Sequence, residues 1–344
     1  MKNKIKLAYF LGEKAKPSET FISKEIEAFR EYGADIDIYT LSDRKRLSYH
    51  LSISKFTDIG YDAVIAHFFG APAKEAYKHV KNNDIPFIVS CHAEDIYVNT
   101  LSENMQEDIF KRADGIITCC EGNLKYLQEN FPDFRDKMQL FYHGVKIENS
   151  MQPGHNFLKD DKIRLLFVGR LVEKKGLIEF LNFLGKAREN FTRKVEFTII
   201  GDGKKKQEVI KAISDNKLND MVNVIPFMPQ SELVRHYTSS DIFVFPSIIT
   251  ENGDRDGLAN VILESFSCGL PVMATAVNGT VDVIKDSNTG FIMDYKKAHN
   301  IVDIINNSTA AEFELVAKNA FFLVKKFEHN AKTRELYEYI TTLL

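Results

Sequence analysis

The chain has 344 residues, 44% of them hydrophobic and 27% charged, with 45 Lys and Arg against 48 Asp and Glu for a formal net charge of −3. That composition excludes a disordered or fibrous chain, and the even charge balance offers no bulk attraction for nucleic acid. Nowhere do roughly 18 apolar residues run together, so no membrane-spanning helix is expected, and the apolar run from Leu7 to Leu11 is too short for a signal-peptide core.

At this length about two domains are expected. Residues 5–11 read as a buried strand running into a loop with Gly12 and Pro17. Ser18 and Thr20 offer N-caps to a helix over 21–32, where Ile22, Ile26 and Phe29 recur at helical spacing. Further β-rich runs follow at 35–41, 61–69, 85–91, 115–120 and 138–142, with helical segments between most of them. Such alternation predicts a doubly wound parallel sheet. The pattern lapses over 146–161, a polar stretch with Pro153 and Gly154 that reads as an interdomain linker. It restarts with strands at 164–168, 195–200, 222–227, 242–245, 271–274 and 290–293. Helices fit at 176–190, 204–217, 231–239, 259–268, 297–306 and 309–325, and a last one at 328–344. The expected architecture is α/β, with domains at 1–148 and 162–326 and a ligand cleft between them. The cysteines at 91, 119, 120 and 268 form no C-x-x-C pair, and they read as buried, reduced thiols of a cytoplasmic protein.

Two constellations carry chemistry. In Gly169-Arg170-Leu171-Val172-Glu173-Lys174-Lys175-Gly176 a strand ends, a glycine frees the backbone and two cations follow five residues apart. Arg170 can fork onto a phosphate and Lys175 can supply a point charge; a solvated, salt-bridged turn is the alternative. The second is Asp254-Arg255-Asp256-Gly257-Leu258-Ala259-Asn260-Val261-Ile262-Leu263-Glu264. If a helix begins near Leu258, Asp256 and Glu264 stand about 12 Å apart along its axis. The helix N-terminus then offers N–H groups to an anion, and Gly257 lets a ligand approach the backbone. Glu264 sits in an apolar helix, where a carboxylate is seldom buried without a partner.

Together these segments resemble the retaining GT-B glycosyltransferases of family 4. The pattern G-R-L-x-x-K-K-G stands here as Gly169 to Gly176, I-I-G-x-G as Ile199 to Gly203, the Pro-Ser strand end as Pro246-Ser247, and E-x₇-E as Asp256 to Glu264, running on to Cys268-Gly269-Leu270-Pro271-Val272. The match is firm over 164–294 and looser over 1–145. One departure is Asp256, which replaces the family's first glutamate. Ser90-Cys91-His92-Ala93-Glu94-Asp95-Ile96 is similar to the family's H-G-x-D-I, and Pro17 to Ile26 resembles the S-x-T-F-I-x-x-E-I opening of the subgroup making exopolysaccharides such as colanic acid. Phe141-Tyr142-His143-Gly144-Val145 matches a family turn, for which a structural role is preferred.

The resemblance implies a GT-B fold of two Rossmann-like domains facing across a cleft, with the helix at 328–344 crossing back to the first. It implies a hexosyltransferase using a nucleotide-sugar donor, a UDP-sugar favoured, and a saccharide or polyprenyl-diphosphate-linked acceptor. Arg170, Lys175, Glu264, Gly169, Gly257, Leu258, Ala259 and Met228 would hold the donor. Lys175 and Arg170 would neutralise the diphosphate, and Glu264 would take both ribose hydroxyls. Asp256 would orient the sugar, with His92 on the opposite wall. Gly12, Ser18 and Thr20 would serve the acceptor or the diphosphate. No cofactor and no metal are expected, so Asp35-Ile36-Asp37 and Asp254-Arg255-Asp256 are not read as cation sites; both aspartates of the first are taken to face solvent. Arg44-Lys45-Arg46, followed by Leu47, Tyr49, His50 and Leu51, could touch inner-leaflet lipid, with an ordinary charged loop as the alternative. Other activities suit such a fold: a nucleotide-sugar epimerase, a glycan phosphorylase, or a non-catalytic donor-binding subunit.

Overall fold

The computed structural model describes residues 4–12, 20–41, 53–147 and 156–344. Ser18, the Thr20 side chain and the cluster from Arg44 to Leu51 lie outside the described residues. Two compact units divide the chain: Met1–Gly144 with His329–Leu344, and Val145–Glu328.

The first unit is built on six parallel strands: β1 (Lys6–Leu11), β2 (Asp35–Thr40), β3 (Ala63–His67), β4 (Phe87–Cys91), β5 (Gly115–Thr118) and β6 (Met138–Leu140). Their order is β2-β1-β3-β4-β5-β6. Every residue of β3 and β4 is buried, which follows from helices covering both faces of a parallel sheet. Alternation assigns the faces. Ala8 and Phe10 of β1 join Val64, Ala66, Phe87 and Val89 in one core, with Phe56, Phe69 and Phe110 packed on it. Leu7, Tyr9 and Leu11 face the other way, toward Ile22, Ile26 and Phe29 of the helix Thr20–Glu31 and Leu336 and Ile340 of the helix His329–Thr342. The C-terminal helix is fixed there by polar contacts too: Tyr32 Oη lies 3.1 Å from the Asn330 carbonyl oxygen and 3.2 Å from Thr333 Oγ1. Asp37 does not simply face solvent, because Tyr61 donates its hydroxyl to Asp37 Oδ2 at 2.6 Å. Gly144 is structural, since a Cβ there would stand 2.4 Å from His329 Cα.

The second unit repeats the plan with β7 (Lys162–Val168), β8 (Lys194–Ile200), β9 (Val222–Ile225), β10 (Ile242–Phe245), β11 (Val272–Thr275) and β12 (Phe291–Met293), in the order β12-β11-β10-β7-β8-β9. The order reverses between β7 and β10, and in doubly wound sheets ligands bind outside the strand carboxyl ends at such a reversal. The linker expectation needs correction. Within the described part of 146–161, Phe157 is buried edge-on against Phe313, and Leu158 donates its N–H to Asp241 Oδ1 at 2.8 Å. Phe157 and Leu158 are thus docked on the second unit. Strand β9 also stops at Ile225, leaving Phe227 exposed.

Candidate active site

In the second unit β7 runs through Gly169 and Arg170 into a 3-10 turn, Glu173–Lys175. Gly176 closes the turn at φ +62°, and a Cβ on it would lie 1.9 Å from the Pro246 carbonyl oxygen. Only glycine lets the turn meet the end of β10. Gly201 does the same after β8, where a Cβ would stand 1.9 Å from the Gly169 carbonyl oxygen. Lys174 and Lys175 are both buried. Lys174 Nζ lies 2.9 Å from Asp254 Oδ1, and Lys175 Nζ lies 2.9 Å from Asp256 Oδ2. Ser247 Oγ stands 3.0 Å from the same Asp256 oxygen, and Asn278 donates to the Asp256 carbonyl at 2.9 Å. The Lys175 ammonium also sits 4.9 Å from the centroid of the Phe245 ring. Burial holds Lys175 below the ordinary lysine value, against the opposing pull of Asp256.

The turn therefore brings together two residues to which separate tasks were assigned. The cation expected on a diphosphate and the carboxylate expected on a sugar neutralise each other. Arg170 is exposed, Gly169, Gly257 and Ala259 are half-buried, and Leu258 and Met228 are buried. The helix begins at Asn260, with Ala259 as a cap that offers no side-chain bond. Asp256 thus precedes the helix by four residues, and the axial spacing of about 12 Å to Glu264 does not apply. Glu264 is half-buried, accepting from Gln230 Nε2 at 3.1 Å on one oxygen and from Tyr237 Oη at 3.3 Å on the other.

In the first unit His92 follows β4 and is buried. Asp95 shapes this turn: its carboxylate accepts the backbone N–H of His92 at 2.8 Å and that of Phe69. Burial pushes Asp95 up to about 7, although those N–H groups oppose the shift. His67 Nδ1 stands 3.5 Å from His92 Nε2, and Ser90 Oγ stands 3.3 Å from the same nitrogen. Behind His67, its Nε2 meets Glu25 Oε1 at 3.0 Å, and Tyr9 donates its hydroxyl to that oxygen at 3.1 Å. His143 stacks on His92 at 5.5 Å between centroids and packs against Phe21 at 4.1 Å. Burial lowers His92 well below the ordinary histidine value and His143 to about 4.

One group among the described residues could hold a metal: His92, Cys119 and His143 each place a ligand atom within 4.8 Å of the others. A bound cation would require the Cys119 thiolate, and a hydrogen bond with Cys120, burial and the Asp95 charge all raise that thiol. Separately, a cavity of about 280 Å³ opens at the carboxyl ends of β1 and β3, where the first sheet reverses its order. Gly12, Phe68, Phe69, Pro72, Asp95 and Asn99 line it.

Residues 150–318 match the family model described as glycosyl transferases group 1. The second unit belongs to the group 1 glycosyl transferases. Among curated relatives, the amylovoran biosynthesis glycosyltransferase AmsK of Erwinia amylovora is 32% identical over 157 residues, which is 45% of this chain and 38% of that protein. The putative colanic acid biosynthesis glycosyltransferase WcaL of Escherichia coli is 22% identical over 182 residues, 53% of this chain and 45% of that protein. The chain thus spans less than half of either relative. The structure of HepE from Anabaena in complex with UDP superimposes with a TM-score of 0.76 at 16% identity, covering 98% of this chain and 100% of that one. The fold is GT-B, with one Rossmann-like sheet in each unit.

Sequence reasoning gave no role to Glu25, His67, Asp95, Ser247, Tyr237 and Gln230, although Glu25, Asp95 and Ser247 stand inside motifs quoted above. Glu25 carried a signal: it occupies the core-facing stripe of Ile22, Ile26 and Phe29, three residues after Ile22. Glu264→Gln should keep the fold, because glutamine still accepts from Gln230 or Tyr237. If Glu264 takes the ribose hydroxyls, as the resemblance implies, the variant should weaken UDP binding about tenfold or more by losing charge-assisted bonds. Calorimetric titration with UDP checks this, and unchanged affinity would make Glu264 structural.

Proposed function

We propose that the chain is a retaining hexosyltransferase. It moves a sugar from a nucleoside-diphosphate donor, a UDP-sugar favoured, to a saccharide or polyprenyl-diphosphate-linked saccharide in surface polysaccharide synthesis. The observation that carries this is the buried Lys175–Asp256 pair at the order reversal of the second sheet. Lys175 has three N–H donors, so with one on Asp256 two remain for phosphate oxygens. Arg170 adds an exposed charge. These cations stabilise the departing nucleoside diphosphate, whose charge grows in the transition state. Two features of the relatives support the reading: AmsK and WcaL are named for exopolysaccharide synthesis, and HepE is seen with UDP.

In the transfer, the bond from the anomeric carbon to the diphosphate oxygen breaks. The acceptor oxygen bonds to that carbon on the same face and yields its proton to the leaving phosphate. Asp256 and His92 orient the sugar, so positioning supplies most of the rate. No metal is required, because Lys175, Arg170 and the open N-terminus of the helix Asn260–Ser267 meet the phosphate charge. No described helix is long and apolar enough to cross a membrane. A lipid-linked acceptor would bring a cytoplasmic chain to the inner leaflet. NMR of the product should show retained anomeric configuration, and EDTA should leave the rate unchanged. An inverted anomer, or activity lost to EDTA and restored by Mg²⁺ or Mn²⁺, would overturn the mechanism.

A further inference from the structure

The turn that follows β3 holds an aromatic residue in a strained backbone. Phe68 stands at φ +78°, in the left-handed region that bulky residues rarely enter, and it is the only aromatic residue there among the described residues. Such a conformation persists only where its surroundings over-determine it, and it gathers at functional sites. The surroundings here do so. Phe68 donates its N–H to the Ser90 carbonyl at 2.9 Å, and Gly70 donates to the Phe68 carbonyl at 2.9 Å. The Phe69 N–H goes to Asp95 Oδ2, and Asn99 Nδ2 donates to the Phe69 carbonyl at 2.6 Å. These bonds tie the turn to β4 and to the segment 94–99.

The turn gives two neighbouring rings different surroundings. Phe69 is buried and stacks on Phe110 at 4.1 Å between centroids. Phe68 stays half-buried, lies 4.6 Å from the His92 ring and lines the cavity of about 280 Å³. Glycine at this position would make the turn without strain, so the turn itself does not call for a ring. Phe68 also packs on the core of Leu7, Tyr9 and Ile22, which makes stability the rival explanation.

The cavity has a mixed lining. Phe68, Pro72 and Val98 give it apolar surface, and Glu94, Asp95 and Asn99 give it polar groups. Each Asp95 oxygen holds one backbone N–H and keeps a further lone pair, and Glu94 is exposed. A pyranose ring matches that combination. Its C–H face is apolar and can lie on an aromatic face, while its hydroxyl edge donates to carboxylates. The volume is near the lower end of small-molecule pockets, ~300 Å³, which suits a sugar ring and is too small for a polyprenyl chain.

We propose that Phe68 is the stacking platform of a saccharide subsite in this cavity and determines which acceptor sugar the chain takes. The proposal rests on the reading of the chain as a glycosyltransferase with a saccharide acceptor. Glu94 and Asp95 accept sugar hydroxyls. Asn99, with Asp95, is a positioning residue, because the two hold the turn that presents the ring.

The test is saturation-transfer NMR of the full chain with a panel of methyl hexosides and disaccharides, read beside the melting temperature and UDP affinity. At least one saccharide should bind, with saturation concentrated on the C–H hydrogens of one ring face. Phe68→Leu keeps apolar bulk but removes the flat face. It should weaken that saccharide about tenfold, with melting temperature and UDP affinity nearly unchanged. Phe68→Tyr should bind as the wild type does. Phe68→Gly should melt above Phe68→Ala, as the strain requires, while both lose the saccharide. Val98→Phe fills the cavity from another residue of its lining and should block the saccharide with UDP affinity unchanged, which covers the case of the Phe68 variants failing to fold. A wild-type chain that binds no saccharide of the panel, or saccharide binding indifferent to Phe68→Leu and Val98→Phe, would overturn the proposal. The spectrum needs no turnover. A chain that binds saccharide through Phe68 but transfers no sugar would count against the activity and leave the subsite standing.

Discussion

Lys175→Met should lower kcat/KM by about 100-fold or more and destabilise the chain by about 3–5 kcal/mol. The first effect follows from losing two charged bonds to the diphosphate, at about 1.5–3 kcal/mol each. The second arises because Asp256 would be left half-buried without its cation, and breaking a buried pair from one side exposes the desolvation cost of the other. Arg170→Ala offers the contrast. Arg170 is exposed, so its loss should cost roughly tenfold in kcat/KM with an unchanged melting temperature. The double variant Lys175→Met with Asp256→Asn separates the roles. It removes both charges, so stability should largely return while activity does not. Recovery of activity along with stability would make the pair a structural clamp. Steady-state kinetics with calorimetric melting of all four proteins decides the matter.

Acid should unfold the first unit well before it disturbs the second. His143 titrates near 4 in the fold against an ordinary 6.5, and burial holds His92 well below the ordinary histidine value. Their stability contribution is complete above about pH 6.5 and is lost as pH falls through the folded values, because unfolding lets them take up protons. For His143 alone that is worth about 3 kcal/mol at 1.36 kcal/mol per tenfold change in proton affinity, less the share that solvent screens at its half-buried ring. Asp95 acts in the opposite sense. Its folded value near 7 stands above the ordinary 3.8, so its contribution is complete below about pH 4 and is lost as pH rises through 7. Melting temperature should therefore change gently between pH 7 and 5, where the two trends oppose, and fall steeply below 5. His143→Gln should flatten the acid limb, and Asp95→Asn should remove the gentle decline toward pH 7.5. A melting curve in which neither substitution alters the pH profile would contradict these assignments.

The sites were legible in the sequence to different depths. Gly169, Gly176 and Gly201 punctuate the alternation, and their positions alone mark where backbone must meet backbone. The structure supplies the reason in the contacts a Cβ would make with Pro246 and Gly169. The pairing of Lys174 with Asp254 and of Lys175 with Asp256 joins residues some eighty positions apart, and nothing local encodes it. The spacing of Asp256 and Glu264 was read along a helix beginning near Leu258, yet the chain enters the helix only at Asn260. Glu25 was readable as a carboxylate on a core-facing stripe, but its partners Tyr9 and His67 come from β1 and β3, which no local pattern encodes. His67 ends β3 and Asp95 follows β4, and their partners, Glu25 on the helix Thr20–Glu31 and the Phe69 N–H beyond β3, are remote in sequence. Within the polar run read as a linker, Phe157 is a single aromatic that is buried against Phe313 on the second unit.

The proposed activity is tested most directly by mass spectrometry of a lipid-linked saccharide incubated with the purified chain and a panel of UDP-, GDP- and ADP-sugars. The acceptor should gain one hexose from one donor, with matching release of nucleoside diphosphate, and Lys175→Met should slow both by about 100-fold. A donor that is bound and only epimerised, cleavage that needs inorganic phosphate, or donor binding with no transfer to any saccharide would contradict the account.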